Sequence, residues 1–325
     1  MDKLPPFGRT VDDVLLPTFA VYTPLLIARE REIRSTAVST HQYGPTARHQ
    51  VDVYLPAAAA APSSGPVPVL IFVYGGGFVS GARVHEGFAH SLVFGNVGHF
   101  FAARGVAVLV PDYRLLAHGA RFPSGGEDVA LAVAWAAAHL PALLRRPDLD
   151  LFLLGNSAGG IHAATYLLAP EFRASRAAVT GPGAGPRLRG VALLGVPFHW
   201  GGEDNAVLRA YLGAEPDAIR ERSPLGLLRA ARARGSPEEG RPPLPGVAVA
   251  LLVSELDPDL IRDSTDEFAR AWEDAGGAAV RHLLDGHNHI SPQLGLGTGI
   301  EREEAWGVQL LEFLRANARK PGEEA

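Results

Sequence analysis

The sequence predicts an α/β protein: a mostly parallel, doubly wound sheet with a helical cap, and three observations predict it. Apolar runs of strand length at 69–73, 106–110 and 247–253 are the first. Strands with no polar alternation are buried on both faces, as in parallel sheets covered by helices on each side. Stretches of helical length separate these runs, which is the second. The third is the segment 149–160, LDLFLLGNSAGG, where an apolar strand meets a glycine-rich turn and then a helix. Ser157 stands at the apex of that turn, with Gly155 and Gly159 two residues to either side. A β-carbon at either glycine would clash in so tight a turn, and the strained geometry pushes the serine hydroxyl into the open.

Taken in order, residues 11–27 hold enough apolar side chains for one or two short helices around Pro17 and Pro24. Residues 32–38 and 49–55 alternate polar with apolar on either side of Gly44-Pro45 and read as an antiparallel pair at a sheet edge. Residues 56–68 form a low-complexity Ala/Pro/Ser loop, and the strand at 69–73 runs straight into Tyr74-Gly75-Gly76-Gly77-Phe78. A helical stretch near 89–103 precedes the strand at 106–110, which ends in Pro111-Asp112-Tyr113-Arg114. Helices at 128–139 and 161–168 flank the strand at 149–154, and a further strand follows at 191–196.

Between 198 and 245 the pattern breaks into short helical pieces, clearest at 206–212 and 224–234. Arg220, Arg222, Arg229, Arg232 and Arg234 there read as a solvated face rather than an anion site. An insertion at this point overhangs the carboxyl ends of the strands, where open α/β sheets bind ligands, so it is expected to act as a lid. A strand at 247–253, a helix at 264–275, a last strand at 279–284 and a closing helix at 301–319 complete one domain over 1–325, with no internal repeat.

Composition narrows the functional classes. With 325 residues, 47% hydrophobic and 20% charged, the chain can bury a large core. A net charge of −5 supplies no global field for nucleic acid or an anionic membrane. Cysteine is absent, so disulfides, thiolate catalysis and Cys-ligated metals are excluded. The opening MDKLPPFGRTVDDVLLP breaks any signal-peptide core with a proline pair and an acidic pair, no uninterrupted run approaches ~18 apolar residues, and no Asn-x-Ser/Thr acceptor occurs. A cytoplasmic protein without stable membrane insertion is expected, and a homodimer stays open.

A serine hydroxyl is a weak nucleophile that needs a histidine to take its proton and an acid to orient the histidine. On a strand-turn-helix elbow of this kind the chain order is serine, acid, histidine, with the last two on loops after late strands. Ser254-Glu255-Leu256-Asp257-Pro258 supplies Asp257 or Glu255, and Asp285-Gly286-His287-Asn288-His289-Ile290-Ser291 supplies His289 or His287. The His-x-His pair has no third metal-ligand motif beside it. His85, His90 and His162 lie in no motif and read as surface or satisfied core. The developing oxyanion needs fixed donors, and the backbone N–H groups of Gly76, Gly77 and Ala158 are the natural set. Gly75–Gly77 has neither the spacing of a dinucleotide loop nor the Gly-Lys-Ser/Thr of a phosphate loop.

Tyr74-Gly-Gly-Gly-Phe78, Asp112-Tyr-Arg-Leu115, Gly155-Asn-Ser-Ala-Gly-Gly160, Glu255-Leu-Asp-Pro258 and the late histidine together resemble the hormone-sensitive-lipase-like branch of the α/β-hydrolase esterases. They are also similar to kynurenine-formamidase-like and carboxylesterase relatives. Over roughly residues 45–318 the five motifs occur in the family's order. The resemblance implies the α/β-hydrolase fold, Asp257 as triad acid, and His289 as base because Ile290 follows it. It also implies a cap made of residues 1–40 and 198–245. Two departures stand out: Tyr74 replaces the usual histidine before the glycines, and Asn156 replaces the usual aspartate before the nucleophile. Phe78 in place of the formamidase subgroup's tryptophan tilts toward a carboxylesterase. The expectation is a cofactor-free serine carboxylic ester hydrolase acting on small to medium esters. An arylformamidase on N-formylkynurenine, a lactone hydrolase, and a non-catalytic ligand-binding protein on the same scaffold are the alternatives.

Overall fold

The structure, a computed structural model, describes residues 1–57, 67–181, 183–234 and 244–319. Most of the loop expected at 56–68, and residues 235–243 of the insertion, lie outside the described residues. Eight strands, β1 (Ala37–Gln42), β2 (Gln50–Leu55), β3 (Val67–Val73), β4 (Ala107–Pro111), β5 (Leu149–Asn156), β6 (Arg187–Leu194), β7 (Ala248–Leu256) and β8 (Ala279–Asn288), form one sheet. Its order is β1-β2-β4-β3-β5-β6-β7-β8. β2 is antiparallel to β1 and β4, and all other neighbours are parallel.

The helices are α1 (Val11–Ala28), α2 (Glu30–Ile33), α3 (Gly95–Ala102), α4 (Ser124–Leu144), α5 (Ala158–Leu168), α6 (Arg173–Thr180), α7 (Ala206–Leu212), α8 (Ala218–Glu221), α9 (Pro224–Arg234), α10 (Asp259–Asp274), α11 (Ser291–Gly295) and α12 (Glu301–Asn317). They cover both sheet faces. Val191 and Leu193 of β6 line one small cavity with Ala164 and Leu167 of α5 and Phe268 and Trp272 of α10. The alternate position, Gly190, points the other way, where a β-carbon would lie 3.1 Å from Phe313 of α12. Every residue of β5 is buried, as the apolar runs require. Close approach matters locally too: a β-carbon at Gly125 of α4 would fall 1.9 Å from the His162 ring on α5.

Several elements differ from expectation in extent or presence. Residues 11–28 form one helix despite Pro17 and Pro24. Each proline removes a backbone bond, but the buried stripe Val14, Thr18, Tyr22 and Leu26 holds the helix against the protein. Residues 30–33 are helical, and β1 begins only at Ala37. There Arg34 pairs with Glu30 one turn back at 2.7 Å while Ile33 is buried, so helical spacing wins over alternation. Finally, α6 and α11 were not expected at all. Among the described residues two helices, α1 and α4, are long and apolar enough on average to cross a membrane. Acidic pairs interrupt both, Asp12-Asp13 and Glu127-Asp128, and α4 packs on α5, β3 and β5.

Candidate active site

The elbow is built as its spacing requires. Ser157 has φ 51° and ψ −121°, a conformation that costs a non-glycine residue on the order of 1–3 kcal/mol and persists only when its surroundings over-determine it. Those surroundings are explicit. The Ser157 N–H donates to Leu194 O at 2.9 Å, and Ser157 O accepts the N–H groups of Gly160 and Ile161 at 2.9 and 3.2 Å. A β-carbon at Gly159 would fall 2.0 Å from Val73 O, and one at Gly155 would fall 2.6 Å from the Gly160 Cα. Asn156, in the place of the usual aspartate, donates its side-chain amide to Leu194 O at 3.2 Å.

Asp257 and His289 come to this hydroxyl from the ends of β7 and β8. His289 Nε2 lies 3.0 Å from Ser157 Oγ, and its Nδ1 lies 2.7 Å from Asp257 Oδ1. The second oxygen of Asp257 accepts the Ser254 N–H at 2.7 Å, so this fully buried carboxylate is held on both sides. With Nδ1 facing the carboxylate, Nε2 is the atom left to accept a proton from the serine. Gly195, at φ 57°, sits beside the pair: a β-carbon there would lie 3.2 Å from the His289 ring. Sequence reasoning missed Gly195, and no motif surrounds it.

The other candidates separate. His287 is buried with its Nδ1 2.8 Å from Ser291 Oγ, and burial pushes its imidazole down to about 3. Glu255 is exposed and accepts the Gly286 N–H at 2.7 Å. Neither bonds to Ser157 or His289 among the described residues. The loop carrying His289 is fixed by Asn288, whose Oδ1 accepts the N–H groups of Ile290 and Ser291 at 3.0 Å each. Its Nδ2 donates to Thr18 Oγ1 of α1 at 2.8 Å.

The glycine loop after β3 packs directly on the elbow. A β-carbon at Gly75 would lie 3.0 Å from Ser157 Cβ. The N–H groups of Gly76, Gly77 and Ala158 form no hydrogen bond among the described residues, and Ala158 opens α5, where backbone donors are free and the dipole favours negative charge. Tyr74, in place of histidine, donates to Asp112 Oδ1 at 2.6 Å, while Tyr113 OH donates to Tyr74 O at 2.9 Å. Arg83 pairs with the same Asp112 at 2.9 Å and with Asp52 at 2.9 Å. The Asp-Tyr-Arg motif is thus a buttress beneath the loop. Its Arg114 closes on Asp128 with its backbone N–H at 2.7 Å and its Nε at 2.8 Å. Of the motif-free histidines, His162 is fully buried, and burial lowers it to about 4. No group of three or more potential metal ligands occurs among the described residues.

Comparison with known proteins points the same way. The family described as BD-FAE matches residues 51–171. A probable carboxylesterase M8 from Phoma sp. is 36% identical over 117 residues, covering 32% of this chain and 34% of that protein. The match thus spans about a third of that relative's length. Among solved structures, carboxyl esterase 2 from Tuber melanosporum superposes with a TM-score of 0.57 at 20% identity, covering 87% of both chains. Esterase B from Lactobacillus rhamnosis, solved with a tributyrin phosphonate inhibitor, gives 0.64 at 16% identity over 93% of this chain and 94% of that one. With its mostly parallel eight-stranded sheet, its serine elbow after β5 and these likenesses, the chain has the α/β-hydrolase fold.

Proposed function

We propose that this protein is a serine carboxylic ester hydrolase working through an acyl-enzyme, with Ser157 as nucleophile, His289 as general base and Asp257 as the acid that orients it. The observation that carries this reading is the continuous hydrogen-bonded path from Ser157 Oγ through His289 to Asp257. Ser157 Oγ attacks the ester carbonyl carbon as its proton passes to His289 Nε2, and the carbonyl oxygen becomes an oxyanion. Gly76, Gly77 and Ala158 N–H groups receive that oxyanion; each such donor is worth ~3 kcal/mol in hydrolases of this kind. When the tetrahedral species collapses, the carbon–oxygen bond to the alcohol breaks and His289 Nε2 returns the proton to the departing oxygen. Water then repeats the sequence: its proton goes to His289, its oxygen to the acyl carbon, and Ser157 Oγ recovers its proton as the carboxylic acid leaves. Asp257 keeps the Nδ1–H of His289 throughout and stabilises the imidazolium.

The five motifs in the family's order favour the hormone-sensitive-lipase-like branch despite Tyr74 in place of the usual histidine, with residues 1–40 and 198–245 as cap. Substrates are small to medium esters. Ser157→Ala is expected to lower kcat on a short-chain p-nitrophenyl ester by ~10³ or more. Retention of a near wild-type rate would exclude the assignment.

A further inference from the structure

We propose that Tyr211, on helix α7 of the 198–245 insertion, is a positioning residue that fixes the Gly76 and Gly77 amides by holding Phe78 in place. The inference rests on the reading of those amides as oxyanion donors. The turn that carries them closes with Val79 N–H donating to Gly76 O at 3.1 Å, and its two central residues, Gly77 and Phe78, have φ of 58° and 68°. Positive φ at both central positions is the pattern of a type I′ turn, which glycine, asparagine and aspartate dominate. A phenylalanine at the second position stays there only if the surroundings over-determine it.

Those surroundings include a residue of the insertion. The Phe78 ring lies parallel to that of Tyr211, with centroids 4.2 Å apart and planes 9° apart. Both are buried, Phe78 at 4% and Tyr211 at 1% exposure. Tyr211 is in turn anchored outside its own helix. Its OH accepts the Gly125 N–H at 3.0 Å and lies 3.2 Å from His162 Nδ1, while its carbonyl accepts the Phe122 N–H at 2.7 Å. Leu116 N–H donates to Phe78 O at 2.9 Å. His162 belongs to α5, the helix that begins at the elbow, and its ring lies 5.6 Å from Phe78 and 5.4 Å from Tyr211. The nucleophile helix, the glycine turn and the insertion therefore meet in one buried aromatic cluster. The insertion is part of what aims the oxyanion donors, in addition to covering the site.

The test compares wild type, Tyr211→Leu and Tyr211→Phe on p-nitrophenyl butyrate and against phenylboronic acid, which adds to a nucleophilic serine as a tetrahedral anion. Loss of the stack is expected to lower kcat about 10- to 100-fold with KM moving less than about threefold, since a small misplacement of donors acts on the transition state. Boronate affinity falls by the same factor. Tyr211→Phe, which keeps the ring, restores kcat to within about threefold of wild type. An unchanged kcat in Tyr211→Leu, or a loss confined to KM with full boronate affinity, overturns the proposal. Should Tyr211→Leu not fold, Phe78→Leu removes the other half of the stack and is read by the same criteria. A wild-type protein that neither hydrolyses the ester nor binds the boronate defeats the hydrolytic reading itself. An active wild type matched by both leucine variants defeats only the role of Tyr211.

Discussion

His287 and His289 stand two residues apart and meet opposite surroundings. His289 lies between a hydroxyl and a buried carboxylate, so a proton gained at Nε2 is balanced by the charge on Asp257. His287 faces Ser291, and the nearby Arg302 adds to burial in keeping it neutral. Under the proposed mechanism His289→Ala loses kcat by ~10³ or more, whereas His287→Ala stays within about tenfold of the wild-type rate while costing stability. Steady-state kinetics on both variants, each checked for folding by circular dichroism, decides the matter. A near-normal rate in His289→Ala reverses the assignment. Both histidines were legible as candidates because they follow the strand-like run expected at 279–284; the strand in fact extends to Asn288, so His287 lies within β8 and only His289 lies beyond it. The choice rests on which ring the chain turns toward Ser157, and spacing carries no such information.

Among the elements, α1 shows how tertiary contacts override local preference. With Pro17 and Pro24 the segment could form one or two short helices, and it forms a single long one because its buried stripe carries polar anchors as well as apolar ones. Thr18 accepts the amide of Asn288, and Tyr22 donates to Glu303. Through Thr18 the N-terminal helix reaches the turn that presents His289. Thr18→Val strands a buried amide donor, which costs about 1–3 kcal/mol. We expect that loss in urea denaturation together with a lower kcat at unchanged KM, and recovery of both in Thr18→Ser. A Thr18→Val enzyme with wild-type kcat would show that α1 only packs against the loop. The strands, by contrast, were largely legible: the cores of β3, β4 and β5 lie within a residue or two of the apolar runs, because strands buried on both faces have no polar positions to blur them. The amphipathic α6 and the short α11 gave no such signal.

For the molecule as a whole, burying neutral imidazoles ties stability to pH. His162 and His287 are pushed from an ordinary value of 6.5 to about 4 and about 3. Between those values and 6.5 the unfolded chain binds protons that the native chain does not, so stability rises with pH across that window. It is fully present above about 6.5 and is lost as pH falls toward about 4 for His162 and about 3 for His287, by at most about 3 and about 5 kcal/mol respectively. Thermal melts at pH 7 and 4.5 test this, and a Tm that does not fall between them would contradict the neutral burial of both rings. By itself the sequence determined the sheet class, the elbow at Ser157, the glycine loop at 75–77 and the late segments that carry the acid and the base, because apolar runs and tight turns are written in local residue order. Residue order alone left Glu255 beside Asp257 and His287 beside His289; the family resemblance chose Asp257 and His289, and the tertiary structure joins that pair to Ser157, His289 directly and Asp257 through it. Tertiary structure alone brought Gly195 against the imidazole, Thr18 against Asn288 and Tyr211 against Phe78. Those partners are joined only when the parallel strands align their carboxyl ends at one edge, and a contact between residues so far apart in the chain depends on packing, which no local pattern records.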